Sequence, residues 1–535
     1  MRSFLLAAAA LIATPAAAAP PKLVVTISVD QFSADLFDAY RSQFSGGMAR
    51  LAREGTVFRN GYQSHAATET CPGHSTILTG MRPMHTGIVA NDWIDQGAAR
   101  GDKDVYCAED ETAPGSTFAN YKVSPVHLRV PTLGERLKAA SPASRVVAVA
   151  GKDRAAVMMT GQRPDQRWYW NGKTYVTDLA GTATPRVLTS FDAALANALA
   201  QPRAPLEPTP FCLGRSKPYV VGSQTVGNNR LGRAANDAKA FRASPEIDGA
   251  TLALAAGLIQ EMRLGRGQAT DLIAVGLSGT DYVGHTYGPG GGEMCLQLTE
   301  LDRELGDFFA QLDRTGVDYA VVLTADHGGQ DIPERLRDQG VTSAVRVDPA
   351  LVPATMGKAL GARLGIAGPV LLGGGADGDV FVDRTLPAPV RQRAMAAAIA
   401  TYRQHPQVAA VFTAAELAAA PAPSGPPTGW SLLTRARASF DPRRSGDFVV
   451  LIKEHVLPVP AGASGYVATH GTPWDYDRRV PILFWRRGSA AAERAEPVET
   501  VDIAPTLAAM IGVPFRAPAM DGRCLSGAAG TSCAP

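Results

Sequence analysis

Three aspartates each close a short apolar run: Asp30 after "LVVTISV", Asp281 after "LIAVGLSGT" and Asp326 after "AVVLTA". Lys152 follows "VVAVAG" in the same manner. In open α/β sheets ligands collect outside the carboxyl ends of the strands, so these four charged side chains are expected to converge. Singly, a strand-end Asp reads as a turn former; as a set they read as a site. Three histidines join them. "DYVGH" puts His285 one helical turn after Asp281, on the same face, "ADHGG" sets His327 beside Asp326, and "ATHGTPWDYDRRVPILFW" carries His470 in a glycine-containing loop. Mixed Asp and His ligands suit Zn²⁺. The other histidines, His65, His74, His85, His127, His405 and His455, are read as hydrogen-bonded structural residues.

The segment "HAATETCPGHSTILTG", residues 65–80, supplies a nucleophile for such a centre. Pro72 suits the first turn of a helix, which puts Thr70 at its N-terminus, where backbone N–H groups and the helix dipole favour an anion. Ser75, Thr76 and Thr79 then lie inside the helix and Thr68 before it. A threonine hydroxyl is a weak nucleophile unless a base or metal removes its proton. Three carboxylates and one alkoxide balance two divalent cations, and paired ions ~4 Å apart serve in-line displacement at phosphorus.

These side chains need a rigid frame. The runs at 23–29, 146–151, 272–278, 320–325, 448–452 and 481–485 are continuously apolar, as expected of parallel strands buried on both faces. Helical patterns such as "TLALAAGLIQEMR" and "QLTELDRELGDFFAQLDR" alternate with them. The expected class is α/β, a mainly parallel central sheet with helices on both faces. Residues 19–535 are read as a single catalytic domain with loop-rich insertions around 92–126, 160–245 and 375–445. Within the last, the aspartates of "DGDVFVDR", 377–384, are read as solvated turn residues rather than cation ligands.

Residues 1–18 have the layout of a secretory signal peptide, an arginine ahead of an apolar run ending in small residues. The expected location is therefore periplasmic or extracellular. After that run no segment has the ~18 uninterrupted apolar residues of a membrane span. Lys and Arg total 52 against 50 Asp and Glu, with no run of like charge, which argues against nucleic acid or an anionic membrane surface as partner. Six cysteines in an exported chain are expected to pair. Fifteen pairings are possible for such a set; neighbours in order, 71–107, 212–295 and 524–533, are favoured because the last two share a short tail.

The ordered pieces "VDQF", "ATETCPGHSTILTG", "GIVANDWID", "AGKDRAAVMMTG", "LSGTDYVGHTYGP", "TADHGG", "THGTPWDYDRRVPILF" and "VETVDIAPTLAAMIGVP" resemble the alkaline phosphatase superfamily. Within it the likeness is greatest to secreted bacterial phosphate-irrepressible alkaline phosphatases with a threonine nucleophile. The pieces run from residue 29 to 514. The resemblance implies two zinc ions, one held by Asp281, His285 and His470, the other by Asp30, Asp326, His327 and Thr70; additional Ca²⁺ or Mg²⁺ is left open. It also implies that Asn91, Lys152 and Arg154 bind the non-bridging phosphoryl oxygens. Lys152 and Arg154, two apart, can point the same way from an extended segment. The expected activity is hydrolysis of phosphate monoesters through a phosphothreonine, with small-molecule phosphate esters as partners and the oligomeric state open. A phosphodiesterase of the nucleotide pyrophosphatase type is the nearest alternative, but a diester carries less charge and would not need a Lys and Arg pair. A sulfatase would need a modified Cys or Ser where Thr70 stands. An exported zinc- or phosphate-binding protein would need no poised hydroxyl.

Overall fold

The computed structural model describes residues 19–460, 465–514 and 520–533; the signal-peptide segment, residues 1–18, lies outside them. Seven strands form the frame of the central sheet: β1 (Leu23–Val29), β2 (Thr56–Tyr62), β3 (Val146–Ala150), β4 (Gln166–Trp170), β5 (Asp271–Leu277), β6 (Tyr319–Thr324) and β7 (Arg479–Arg486). With three short edge strands they form a ten-stranded sheet in the order Ala492–Arg494, β2, β7, β6, β1, β5, β3, β4, Tyr175–Val176, and Val498–Glu499 also pairs with β2. β6, β1, β5, β3 and β4 are mutually parallel. β1, β3, β5 and β6 are buried at every residue, as their unbroken apolar runs require.

Five helices matter for the site: α1 (Thr70–Thr79), α2 (Asp153–Thr160), α3 (Pro245–Glu261), α4 (Gly279–Tyr287) and α5 (Gly292–Thr315). One core beneath the sheet joins Val25, Ile27 and Val275 to Leu254 and Leu258 of α3 and Leu301 and Phe308 of α5. The opposite core joins Val24, Ala148 and Val322 to Ile77 of α1, Ala155 and Met159 of α2, and Leu507. Helices thus cover both faces, and the expected α/β class holds.

Strand direction is where the expectation needs correction. β7, which includes residues 481–485, runs antiparallel to both β6 and β2. The run at 448–452 leaves the central sheet altogether: Phe448–Ile452 pairs antiparallel with Gly378–Val382 and Val408–Thr413 in a four-stranded sheet. Its own core includes Val380, Ala398, Tyr402 and Phe448. Continuous apolarity reports burial on two faces, and a small sheet backed by a helix satisfies that as well as a large one. Asp377 and Asp379 of this sheet, expected as solvated, accept from the backbone N–H groups of Ile452 and Gly446 at 2.7 Å each. Nor is 160–245 all loop. β4 lies in the central sheet, and Arg186–Ala200 is a helix that packs on α3.

The cysteines pair 71–107, 212–295 and 524–533. The first ties the opening turn of α1 to the 92–126 insertion, and the second ties the 160–245 insertion to α5. Among the described residues no helix is long and apolar enough to cross a membrane.

Candidate active site

Thr70 is the first residue of α1, after Glu69 in extended conformation, and it is fully buried. Pro72 occupies the first turn as expected. Gly73 lets the helix approach β6: a Cβ there would stand 2.0 Å from the carbonyl oxygen of Asp326. That close approach sets Thr70 Oγ1 3.5 Å from His327 Nε2 and 3.3 Å from Arg154 Nη2.

The ends of the adjacent strands β1, β5 and β6 bring Asp30, Asp281 and Asp326 together, each almost completely buried. Asp326 Oδ1 accepts from the backbone N–H groups of Gln31 (3.2 Å) and His327 (3.0 Å), which fixes the carboxylate plane. Asp281 and His285 share a face of α4, with Oδ1 and Nε2 3.1 Å apart, and His470 Nε2 lies 3.5 Å from the same Oδ1. His327 Nε2 is 3.5 Å from Asp30 Oδ1 and 3.3 Å from Asp326 Oδ2. Two ligand groups result, Asp281 with His327 and His470, and Asp30 with Asp326 and His327; His285 adjoins the first. The His327 and His470 rings are stacked, 3.6 Å between centroids.

The tautomers are set by the other ring nitrogens. Nδ1 of His285, His327 and His470 each lies 2.8 Å from a backbone carbonyl oxygen, of Ala468, Gly328 and Thr68 respectively. A carbonyl can only accept, so the proton is on Nδ1 and each Nε2 turns a lone pair inward. Those lone pairs face Asp30 Oδ1 and Asp281 Oδ1, buried oxygens with no hydrogen-bond donor. Acceptors gathered around acceptors are costly unless cations lie among them, so this donor set fits two metal ions. Charge points the same way. Burial, reinforced by Asp326, pushes Asp30 well above the usual carboxylate range. Burial keeps His327 and His470 neutral by lowering both.

Lys152 and Arg154 reach the site by a route other than the expected extended pair. Lys152 is extended and caps α2, while Arg154 is already in its first turn. Both still point at the centre because the N-terminus of α2 does. Lys152, 3 % exposed, donates to Asp281 Oδ2 at 2.5 Å and lies 2.7 Å from Asp30 Oδ2. It thus bridges the two ligand groups. A cleft beside Lys152 and Arg154 is also lined by Trp170, Arg242 and Tyr282. Asn91 Oδ1 accepts from the Cys71 N–H at 2.8 Å, which fixes its side-chain amide at the start of α1. Glu69 holds Asn91 in turn, accepting from its backbone N–H at 2.5 Å. Burial, then Asp92, pushes Glu69 up to about 7.

His74 is the neighbour that the sequence reading set aside. It lies four residues after Thr70 on α1, fully buried, with Nδ1 2.9 Å from the Thr70 carbonyl oxygen and 3.0 Å from Asp326 Oδ2. Both partners are acceptors, so Nδ1 carries a proton shared between them. The spacing from Thr70 was the available signal; the contact with Asp326 needed the packing of α1 on β6. Outer partners of this kind are typically worth 10- to 100-fold in metal affinity or activity. His74→Ala should therefore lower kcat/KM on an aryl phosphate about tenfold or more and weaken metal retention, read as residual activity against free-metal concentration in buffered zinc. Unchanged retention would make His74 a packing residue only.

The family model for type I phosphodiesterase / nucleotide pyrophosphatase matches residues 24–461. Over 522 residues the chain is 54 % identical to alkaline phosphatase PhoK of Sphingomonas sp, spanning 97 % of this chain and 93 % of that protein. It is 47 % identical over 509 residues to alkaline phosphatase PhoD of Zymomonas mobilis subsp. mobilis, spanning 94 % and 88 %. The crystal structure of wild-type alkaline phosphatase PafA superposes with a TM-score of 0.83 at 26 % identity, covering 96 % of this chain and 100 % of that one. The chain belongs to the type I phosphodiesterase / nucleotide pyrophosphatase family, within the alkaline phosphatase superfamily.

Proposed function

We propose that this chain is an alkaline phosphatase that hydrolyses phosphate monoesters in two displacements at Thr70. Its similarity to the two alkaline phosphatases along nearly its whole length supports the activity. The observation that carries the chemistry is the buried hydroxyl of Thr70 between the Arg154 guanidinium and His327, at the mouth of two Asp and His ligand groups.

In this reading Asp281, His285 and His470 hold one zinc ion, and Asp30, Asp326, His327 and Thr70 Oγ1 hold the other. When bound, the ions supply Lewis-acid charge to the attacking and leaving oxygens and acidify water at neutral pH. Thr70 Oγ1 gives its proton to solvent and attacks phosphorus; the O–P bond to Thr70 forms as the ester P–O bond breaks, and the departing alkoxide takes a proton from solvent and leaves as the alcohol. Water then attacks the phosphothreonine, the Thr70 O–P bond breaks, and inorganic phosphate departs. Arg154, Asn91 and Lys152 orient the non-bridging oxygens and offset the charge on them, donors aimed where charge sits during transfer. The signal-peptide layout of residues 1–18 and the three disulfides support export to an oxidising compartment.

Discrimination between monoester and diester provides the test. A monoester dianion carries more charge than a diester anion, so the two cationic side chains favour it. With each charge-assisted hydrogen bond worth roughly 1.5 to 3 kcal/mol, the Lys152→Ala, Arg154→Ala double variant should lose roughly two to four powers of ten in kcat/KM on an aryl phosphate. Its loss on a methyl aryl phosphate should be much smaller. A wild type that prefers the diester, or equal losses on the two substrates, would favour the phosphodiesterase reading.

A further inference from the structure

Arg154 is a cation without a carboxylate partner. Its guanidinium donates to two hydroxyl oxygens, Tyr106 Oη at 3.4 Å and Thr70 Oγ1 at 3.3 Å, and forms no ion pair among the described residues. The adjacent carboxylate, Asp153, is almost fully buried and is joined to the guanidinium through one hydroxyl, that of Tyr106. Asp153 is turned to other donors. Oδ1 accepts from the Tyr106 hydroxyl at 2.7 Å and from the backbone N–H of Arg154 at 2.7 Å, and Oδ2 accepts from the Tyr121 hydroxyl at 2.8 Å. The two phenol rings lie 4.5 Å apart between centroids, so they act on Asp153 as a pair.

Both tyrosines come from the 92–126 insertion, and the insertion is fastened to the nucleophile's own helix. Tyr106 lies opposite Asp92 in the hairpin formed by Asp92–Ile94 and Asp104–Tyr106. The next residue, Cys107, is disulfide-bonded to Cys71, beside Thr70, and donates from its N–H to the Asn91 carbonyl oxygen at 2.9 Å. The hairpin therefore delivers Asn91 and Tyr106 together. Burial, then the charge of Asp153, pushes the Tyr106 phenol well above its ordinary value, so it keeps its donor hydrogen in alkaline solution.

We propose that Tyr106 and Tyr121 are positioning residues for phosphoryl transfer: they hold the Asp153 carboxylate away from Arg154 and leave the guanidinium's charge to the phosphoryl group, with Tyr106 also fixing its direction. The inference rests on the monoesterase reading above. Without the phenol hydrogens, Asp153 loses two donors in a buried place, and the Arg154 guanidinium, which shares the Tyr106 hydroxyl with it, is a cation it can turn to. That pairing would cancel the charge the substrate needs.

The test uses the zinc-loaded protein and its Tyr106→Phe, Tyr121→Phe double variant, which keeps both rings. Two quantities are measured, kcat/KM on an aryl phosphate and the dissociation constant of inorganic phosphate by calorimetry. Both should worsen by about ten- to a hundredfold, the size of lost hydrogen bonds to a charged group. In an Arg154→Ala background the tyrosine changes should add less than threefold. Adding Asp153→Asn to the double variant should restore most of the loss, because the competing charge is gone; a purely structural role would give no such rescue. A loss below threefold, an equal loss without Arg154, or absent rescue would overturn the proposal. If the wild type released no phosphate from any monoester, the monoesterase reading would fall, and phosphate affinity alone would decide the tyrosines: a constant unmoved in the double variant would overturn their role.

Discussion

Thr70→Ala is expected to lower kcat/KM on an aryl phosphate by about three powers of ten or more, while the protein stays folded and keeps its metal. The size follows from what the hydroxyl supplies. A nucleophile held in line against phosphorus replaces a bimolecular encounter, and such positioning is worth about 7 kcal/mol or more. Alanine leaves only water to attack, without an oxygen fixed 3.3 Å from the Arg154 guanidinium. The fold should not register the change. Thr70 uses its backbone for α1, its carbonyl remains for His74, and Asp30, Asp326 and His327 still offer three ligands to the ion that Thr70 Oγ1 would also hold. Thr70→Ser, which restores the hydroxyl, should recover most of the rate. Acid quench of the working wild type should trap phosphate on the peptide containing Thr70. Wild-type turnover by the alanine variant would remove Thr70 as nucleophile.

Removing the metal should have an effect as large and should reach stability as well. Prolonged chelation is expected to abolish monoester hydrolysis, with a loss of about three powers of ten or more, and added Zn²⁺ should restore it. Lewis-acid stabilisation worth several kcal/mol accounts for the rate. The structural cost comes from Asp30, Asp281 and Asp326, buried together with Lys152 between two of them. Without divalent cations that set has more negative than positive charge, and the three imidazole lone pairs face it. An ion that binds only the folded chain at a thousand times its Kd stabilises by about 4 kcal/mol, so Tm should fall by several degrees on chelation and recover with zinc. Undiminished turnover in protein shown by elemental analysis to be metal-free would sink the two-ion reading.

What the sequence determined by itself is the chemistry that travels with local geometry. Unbroken apolar runs ending in Asp30, Asp281 and Asp326 identified buried strands with acids at their carboxyl ends, because side chains there cannot be absorbed into the core. The four-residue step from Asp281 to His285 follows from the pitch of one helical turn, and Pro72 placed Thr70 at a helix start. The ordered family pieces then gave the ligand set a common meaning. Tertiary structure decided the rest. It chose the antiparallel direction of β7 and moved residues 448–452 into a second sheet, since apolarity encodes burial and is silent on partner and direction. It put Lys152 across two carboxylates, turned His74 toward Asp326, and brought Tyr106 and Tyr121 from an irregular insertion to Asp153. The Nδ1 of His470 finds the carbonyl of Thr68 across 402 residues of chain. No periodicity spans that distance: such contacts are set by how helices and strands pack, and a sequence carries them only through the fold it makes.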